Sequence, residues 1–171
     1  MLMARDITTL LQRLSDELAR RNARGDVFLD GGAVMCLAHH ARPSTADADG
    51  YFVAAAVVRD AARMVGKNAG IDHDWLNAGV KEVLSDTGDF APFLDLPALR
   101  VLIAQPEYLL AMKCLALRLG LEFHDLDDVR FLLCVLDVRD VATARDIITR
   151  YYPAERFPAK TLFVLEELLS S

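Results

Sequence analysis

Val27-Phe28-Leu29-Asp30-Gly31-Gly32 and, fifteen residues after Gly32, Asp47-Ala48-Asp49 decide how this chain is read. Val27 to Asp30 is a short strand candidate that feeds a Gly-Gly turn, and Ala33 to His40 follows as a short helix. With no Cβ in the way, a glycine turn lets a phosphate approach backbone N–H groups at a helix start. Arg42-Pro43-Ser44-Thr45 is a loop that leads into a second strand, roughly 47–53. Side chains alternate along a strand, so Asp47 and Asp49 point the same way. Two adjacent carboxylates repel, and a hard divalent cation such as Mg²⁺ relieves that repulsion through oxygen ligation. Together these pieces outline a place for a nucleoside triphosphate and its metal.

Outward from this segment, residues 5–23 pattern as an amphipathic helix with Leu10, Leu11, Leu14 and Leu18 on one face, ended by Gly25-Asp26. Helices are expected at 54–68 and 73–84, broken by Gly70-Ile71-Asp72, with Asp72 or Asp74 as a cap for the second. Leu94-Asp95-Leu96 is a minor strand candidate and Leu99 to Ala104 a strong one. Pro106 opens a helix expected to reach about Leu119 and end at Gly120. Beyond Asp125 the pattern is all helix, near 125–137, 140–151 and 158–169. The expected class is α+β, a small mixed sheet with flanking helices followed by a helical C-terminal segment. Its expected organisation is one compact domain, or a core over 1–122 with a helical segment over 123–171.

Composition narrows the function classes. The chain has 171 residues, 53% of them hydrophobic, with no charged tract, so it is expected to fold as a globular protein. Every apolar stretch is interrupted by charge well short of the ~20 residues that span a bilayer, and Arg5, Asp6, Arg13 and Asp16 break any secretory pattern. A cytoplasmic protein with no membrane association is the expectation. Cys36, Cys114 and Cys134 are widely spaced among apolar neighbours and are expected to be buried thiols. A net charge of −6 argues against a general nucleic-acid binder. A local cluster of Arg20, Arg21 and Arg24 falls where it can also complement a helix dipole.

The order of these motifs resembles the minimal nucleotidyltransferases of the polymerase-β-like superfamily, and within it the AbiEii-type and MenT-type toxins and their uncharacterised bacterial relatives. The resemblance covers roughly residues 27–135. It rests on Gly31-Gly32, on Arg42-Pro43-Ser44-Thr45 before Asp47-Ala48-Asp49, on Pro106 to Lys113, and on His124-Asp125-Leu126-Asp127-Asp128-Val129. Asp74-Trp75-Leu76-Asn77 also resembles a segment of the relatives, with no role attached. The chain departs from the pattern at Ala48 and Gly50, where relatives carry bulky aliphatic residues, and at Leu99–Ala104, which offers no third carboxylate. Gly50 is expected to weaken its strand.

The resemblance implies transfer of a nucleoside monophosphate from an NTP to an acceptor hydroxyl. Asp47 and Asp49 would hold Mg²⁺. Gly31, Gly32, Arg42, Ser44 and Thr45 would meet the triphosphate, and Lys113 would offset its charge with Asp128 to position the lysine or assist deprotonation. A tRNA end is the acceptor it suggests, with an antitoxin protein as partner. Simpler readings stand beside each residue. The two aspartates also suit a solvated loop, Lys113 a side chain that snorkels to water, Asp125 a helix N-cap, Asp127 a solvated position, and Trp75 the core. Two rival functions follow: a catalytically silent NTP-binding or protein-interaction module, and a purely helical adaptor.

Overall fold

The leucine stripe of the first long helix is where the core begins. The computed structural model describes residues 1–79, 84–120 and 123–170. In chain order the first elements are β1 (Leu2–Met3), α1 (Ala4–Arg20), β2 (Gly25–Leu29), α2 (Gly31–Leu37), β3 (Ser44–Thr45), β4 (Ala48–Val53), α3 (Ala55–Ala69) and β5 (Leu76–Asn77). After them come β6 (Phe90–Asp95), β7 (Leu99–Ala104), α4 (Pro106–Leu115), α5 (Asp125–Val135), α6 (Val141–Thr149), a 3₁₀ turn over Ala154–Arg156, and α7 (Ala159–Leu169). The class is mixed α+β, with a five-stranded sheet ordered β5-β4-β2-β7-β6 and a two-stranded sheet of β1 with β3. None of the described helices is long and apolar enough to cross a membrane.

The chain divides into two units, Met1–Glu82 with Phe90–Ala104, and Val83–Asp89 with Gln105–Ser171. The division therefore follows the end of β7, whereas the sequence pattern placed it near residue 122.

In the first unit, α1 starts where the Asp6 carboxylate accepts the Met3 N–H at 2.9 Å, an acidic group at the positive end of the helix. Leu10, Leu11, Leu14 and Leu18 are buried as the stripe requires, each contributing roughly 1.5–3 kcal/mol against the entropy of ordering. Val27, Leu29, Leu99 and Val101 of the central strands are buried with them. β2 pairs antiparallel with β4 (Leu29 opposite Gly50) and parallel with β7 (Val27 opposite Val101). Gly50 has a reason the sequence did not disclose: a Cβ there would lie 2.8 Å from the Phe28 carbonyl oxygen, so the two backbones can approach only at a glycine. Arg20 and Arg21 both pair with Glu17, at 2.6 and 2.8 Å.

Four expectations need correction in this unit. α1 ends at Arg20, and Gly25-Asp26, expected to stop it, instead open β2. Residues 73–79 are not helical. Leu76–Asn77 pairs parallel with β4, the Trp75 carbonyl accepts the Ala48 N–H at 2.7 Å, and neither Asp72 nor Asp74 caps a helix. Burial of Trp75, whose indole N–H bonds the Ala62 carbonyl at 2.9 Å, outweighs the local helical pattern. The part of that expected helix at residues 80–83 lies outside the described residues. The loop 42–45 contains a two-residue strand held by β1, and β6 starts at Phe90 rather than near Leu94.

In the second unit, α4 stops at Leu115, four residues short of the expected Leu119. Tyr108, Leu109, Leu110, Leu132 and Leu165 form its core. Thr161 seals α7 to α4 by donating its hydroxyl to the Cys114 carbonyl at 2.8 Å. Burial pushes the Cys114 thiol up to about 12, so it is inert, and Cys36 is also buried. Cys134, expected to be buried, is exposed on the outer side of α5.

Candidate functional site

At one end of the five-stranded sheet, the sequence motifs of the first unit come together. Gly31 and Gly32 do not precede a helix; they are the first turn of α2 itself. Gly31 has φ 55°, a left-handed conformation that a Cβ disfavours, and a Cβ there would sit 3.4 Å from Asp49 Oδ2. Any side chain on Gly32 would collide with Thr45 Oγ1 and would also lie 3.5 Å from Arg42 Cζ. Both glycines are thus set by what they touch. Gly32 faces the Arg42–Thr45 loop, and Gly31 faces Asp49. Ser44 and Thr45 are positioned by pairing with Met3 and Leu2, and Thr45 is buried.

Asp49 lies on β4 and Asp47 just before its first residue, both half-buried. Asp49 has glycines on both sides: a Cβ on Gly79 would be 3.5 Å from its Oδ1, opposite Gly31 at Oδ2. Asp47 Oδ2 accepts from Asn77 Nδ2 at 3.0 Å, and Asn77 Oδ1 accepts the Gly79 N–H at 2.8 Å. Asn77 is the register partner of Asp49 across β4 and β5, so one amide side chain fixes the surroundings of both aspartates. The Asp-Trp-Leu-Asn segment, which had no role in the sequence pattern, therefore has one here.

The structure adds a carboxylate that sequence reasoning passed over. Asp30 extends β2 by one residue and its N–H bonds the Asp49 carbonyl at 3.1 Å. Opposite residues of an antiparallel pair share a face, which brings Asp30 to the side of Asp49. It is buried, 5% exposed, where charged side chains are rare unless paired. The signal was its place at the end of the first strand, but only the β2–β4 register reveals its neighbour. Among the described residues, the group of three metal-capable side chains with donor atoms within 4.8 Å of one another is Asp72, His73 and Asp74, all exposed. Asp30, Asp47 and Asp49 do not close to that spacing.

The second unit holds the other two predicted residues and brings them together. Lys113 Nζ meets Asp125 Oδ1 at 3.0 Å and Asp128 Oδ2 at 2.7 Å. These side chains are 11%, 5% and 4% exposed, so Lys113 does not snorkel to water. Arg118 completes the cluster through Nε to Asp125 Oδ2 at 2.8 Å. Asp125 is not the N-cap expected of it; His124 holds that position, and the Asp125 carboxylate bridges two cations. Asp127 is exposed and pairs with Arg130.

Burial alone would raise the Asp125 carboxyl, but the Arg118 hydrogen bond and the Lys113 charge together outweigh it and hold the carboxyl below its ordinary value. A depressed folded pKa stabilises above the unfolded pKa, and the contribution disappears as pH falls through the folded value. Thermal melts of wild type and Asp125→Asn should therefore differ most at neutral pH. The difference should shrink below about pH 4, the ordinary aspartate range. A difference that does not change with pH would mean that Asp125 is not held ionised.

Set against protein-family models, curated proteins and solved structures, the chain matches none of them.

Proposed function

We propose that this protein is a magnesium-dependent nucleotidyltransferase that moves a nucleoside monophosphate from an NTP to an acceptor hydroxyl and releases pyrophosphate. The observation that carries the reading is Asp49 set between two glycines, with Asp47 and Asp30 at the same strand end and the Gly32–Thr45–Arg42 contact beside it. The donors are all oxygen, which suits Mg²⁺, and the absence of side chains on Gly31 and Gly79 leaves room in front of both Asp49 oxygens. Asp47 and Asp49 would hold the ion, with phosphate oxygens and water completing its shell. When bound, Mg²⁺ neutralises phosphate charge and favours deprotonation of the attacking hydroxyl.

The chain's own residues then have distinct tasks. Arg42 and the Ser44 and Thr45 hydroxyls donate to the triphosphate tail beside Gly31-Gly32, and Asn77 keeps the Asp47 carboxylate turned toward the strand end. The role toward phosphate that the resemblance gives Lys113 and Asp128 rests on that resemblance alone. The protein is proposed to act in the cytoplasm, with a tRNA end as the acceptor the family resemblance suggests and an antitoxin as partner.

Incubation with radiolabelled NTPs, Mg²⁺ and total tRNA tests this. Label transfer that disappears with EDTA is the expected result, and no transfer under any divalent cation contradicts it. One observation favours a silent NTP-binding module instead: the three strand-end carboxylates do not close to a tight metal cluster. That reading predicts calorimetric binding of Mg²⁺–NTP without turnover.

A further inference from the structure

The face of the sheet that carries Asp49 continues into a row of aromatic rings. α1 and α3 lie against the opposite face: Gly25, in phase with Val27 and Leu29, would meet Val58 of α3 if it had a Cβ, with Leu18 of α1 at 3.8 Å. The other face carries Phe28 on β2 and, directly across from it, Tyr51 on β4. Their ring centroids are 5.8 Å apart, and Phe90 of β6 backs Phe28 edge-on at 5.2 Å. Tyr51 is 37% exposed, so its ring is reachable from solvent while Phe28, itself backed by Phe90, packs against it. Asp49 and Tyr51 are two residues apart on one strand, roughly 7 Å, with side chains on the same face.

We propose that Tyr51, packed on Phe28 with Phe90 behind it, is the platform on which the acceptor's nucleoside stacks, so that the acceptor hydroxyl belongs to the terminal nucleoside of a single-stranded RNA. This rests on the transferase reading above. In phosphoryl transfer the attacking and leaving oxygens lie roughly in line. The acceptor oxygen forms a bond to the α-phosphorus as the bond to pyrophosphate breaks, the leaving oxygen keeping the electron pair and the hydroxyl proton passing to solvent. The proposed triphosphate contacts, Gly32, Arg42 and Thr45, gather past the strand end marked by the Asp30–Asp49 pair, whereas Tyr51 lies two residues further into β4. Attack therefore comes from the other side of the aspartates, along β4 toward Tyr51. Base stacking on an aromatic ring is a sequence-tolerant contact that needs no basic track. A chain of net charge −6 fits a hold on one terminal nucleoside better than a hold on a long strand.

Anisotropy of a 5′-fluorescein trinucleotide RNA at low salt tests the platform without requiring turnover. Tyr51→Ala is expected to weaken binding at least tenfold, Tyr51→Phe to stay within about twofold of wild type, and a trinucleotide with an abasic 3′ end to bind wild type as weakly as the intact one binds Tyr51→Ala. If Tyr51→Ala melts early, Tyr51→Leu takes its place, keeping apolar bulk without a ring. Equal binding by wild type and the ring-less variant, indifference to the missing base, or no binding by wild type overturns the proposal. Label transfer that is unaffected by Tyr51→Ala removes the platform and leaves the transferase. Tyr51-dependent binding without any label transfer does the reverse.

Discussion

Lys113→Met is expected to lower stability by about 3–5 kcal/mol, the usual result of removing one partner from a buried ion pair. The Lys113 ammonium sits between Asp125 and Asp128 at 3.0 and 2.7 Å, and both carboxylates are almost wholly out of water. Without it, Arg118 still meets Asp125, but the ammonium that offset Asp128 is gone. Two ionised carboxylates would then share a poorly solvated space on α5. In a thermal melt this corresponds to roughly 6–20 °C. Arg100→Met makes a useful contrast, because it removes a bidentate pair with Asp26 at 3.1 and 2.8 Å that is largely solvated. That change should leave the melting temperature close to that of wild type. Burial, not the number of ion pairs, decides which substitution matters. A Lys113→Met protein that melts like wild type would show that the buried cluster contributes little. If it melts early but still transfers label at low temperature, the lysine is structural and the phosphate role carried by the family resemblance falls.

Asp49→Asn is expected to have the opposite profile, with label transfer reduced roughly 10²–10³-fold or more and stability unchanged or slightly raised. The substitution keeps the shape of a half-buried side chain whose two oxygens face Gly31 and Gly79, so no cavity or clash follows. It removes one of the charges gathered at the strand end with Asp30 and Asp47. Relief of that repulsion stabilises a protein whose functional groups are arranged against stability. Loss of stability together with activity would mean that Asp49 is a structural residue.

Much of this was legible because the responsible signals are local. The Leu10–Leu11–Leu14–Leu18 stripe, the β-branched and leucine-rich strand at Leu99–Ala104 and the Pro106 helix start each depend on neighbours within one element. The Gly-Gly and Asp-x-Asp spacings are also local, and the fold brings Gly31, Gly32, Arg42, Thr45 and Asp49 into one neighbourhood. What the sequence could not disclose depends on register. Asp30 gains its meaning only when β2 pairs with β4, and Asn77 reaches Asp47 across 30 residues. The helix expected over 73–84 does not form at 73–79 for the same reason. Its spacing suits a helix, but burial of Trp75 and pairing of Leu76–Asn77 with β4 are tertiary gains that local pattern does not contain. Asp128 beside Lys113 matches the positioning role expected of it, whereas Asp125, expected as an N-cap, meets the same ammonium only because α5 packs against α4.

The most direct measurement is paramagnetic: Mn²⁺ in place of Mg²⁺, titrated with a non-hydrolysable NTP into ¹⁵N-labelled protein, with amide line widths read residue by residue. The account predicts that Gly31, Gly32, Ala48 and Asp49 broaden first, and that Asp49→Asn abolishes the effect. Broadening that begins at Asp72–Asp74, or that ignores the Asp49 substitution, would place the cation elsewhere and contradict it.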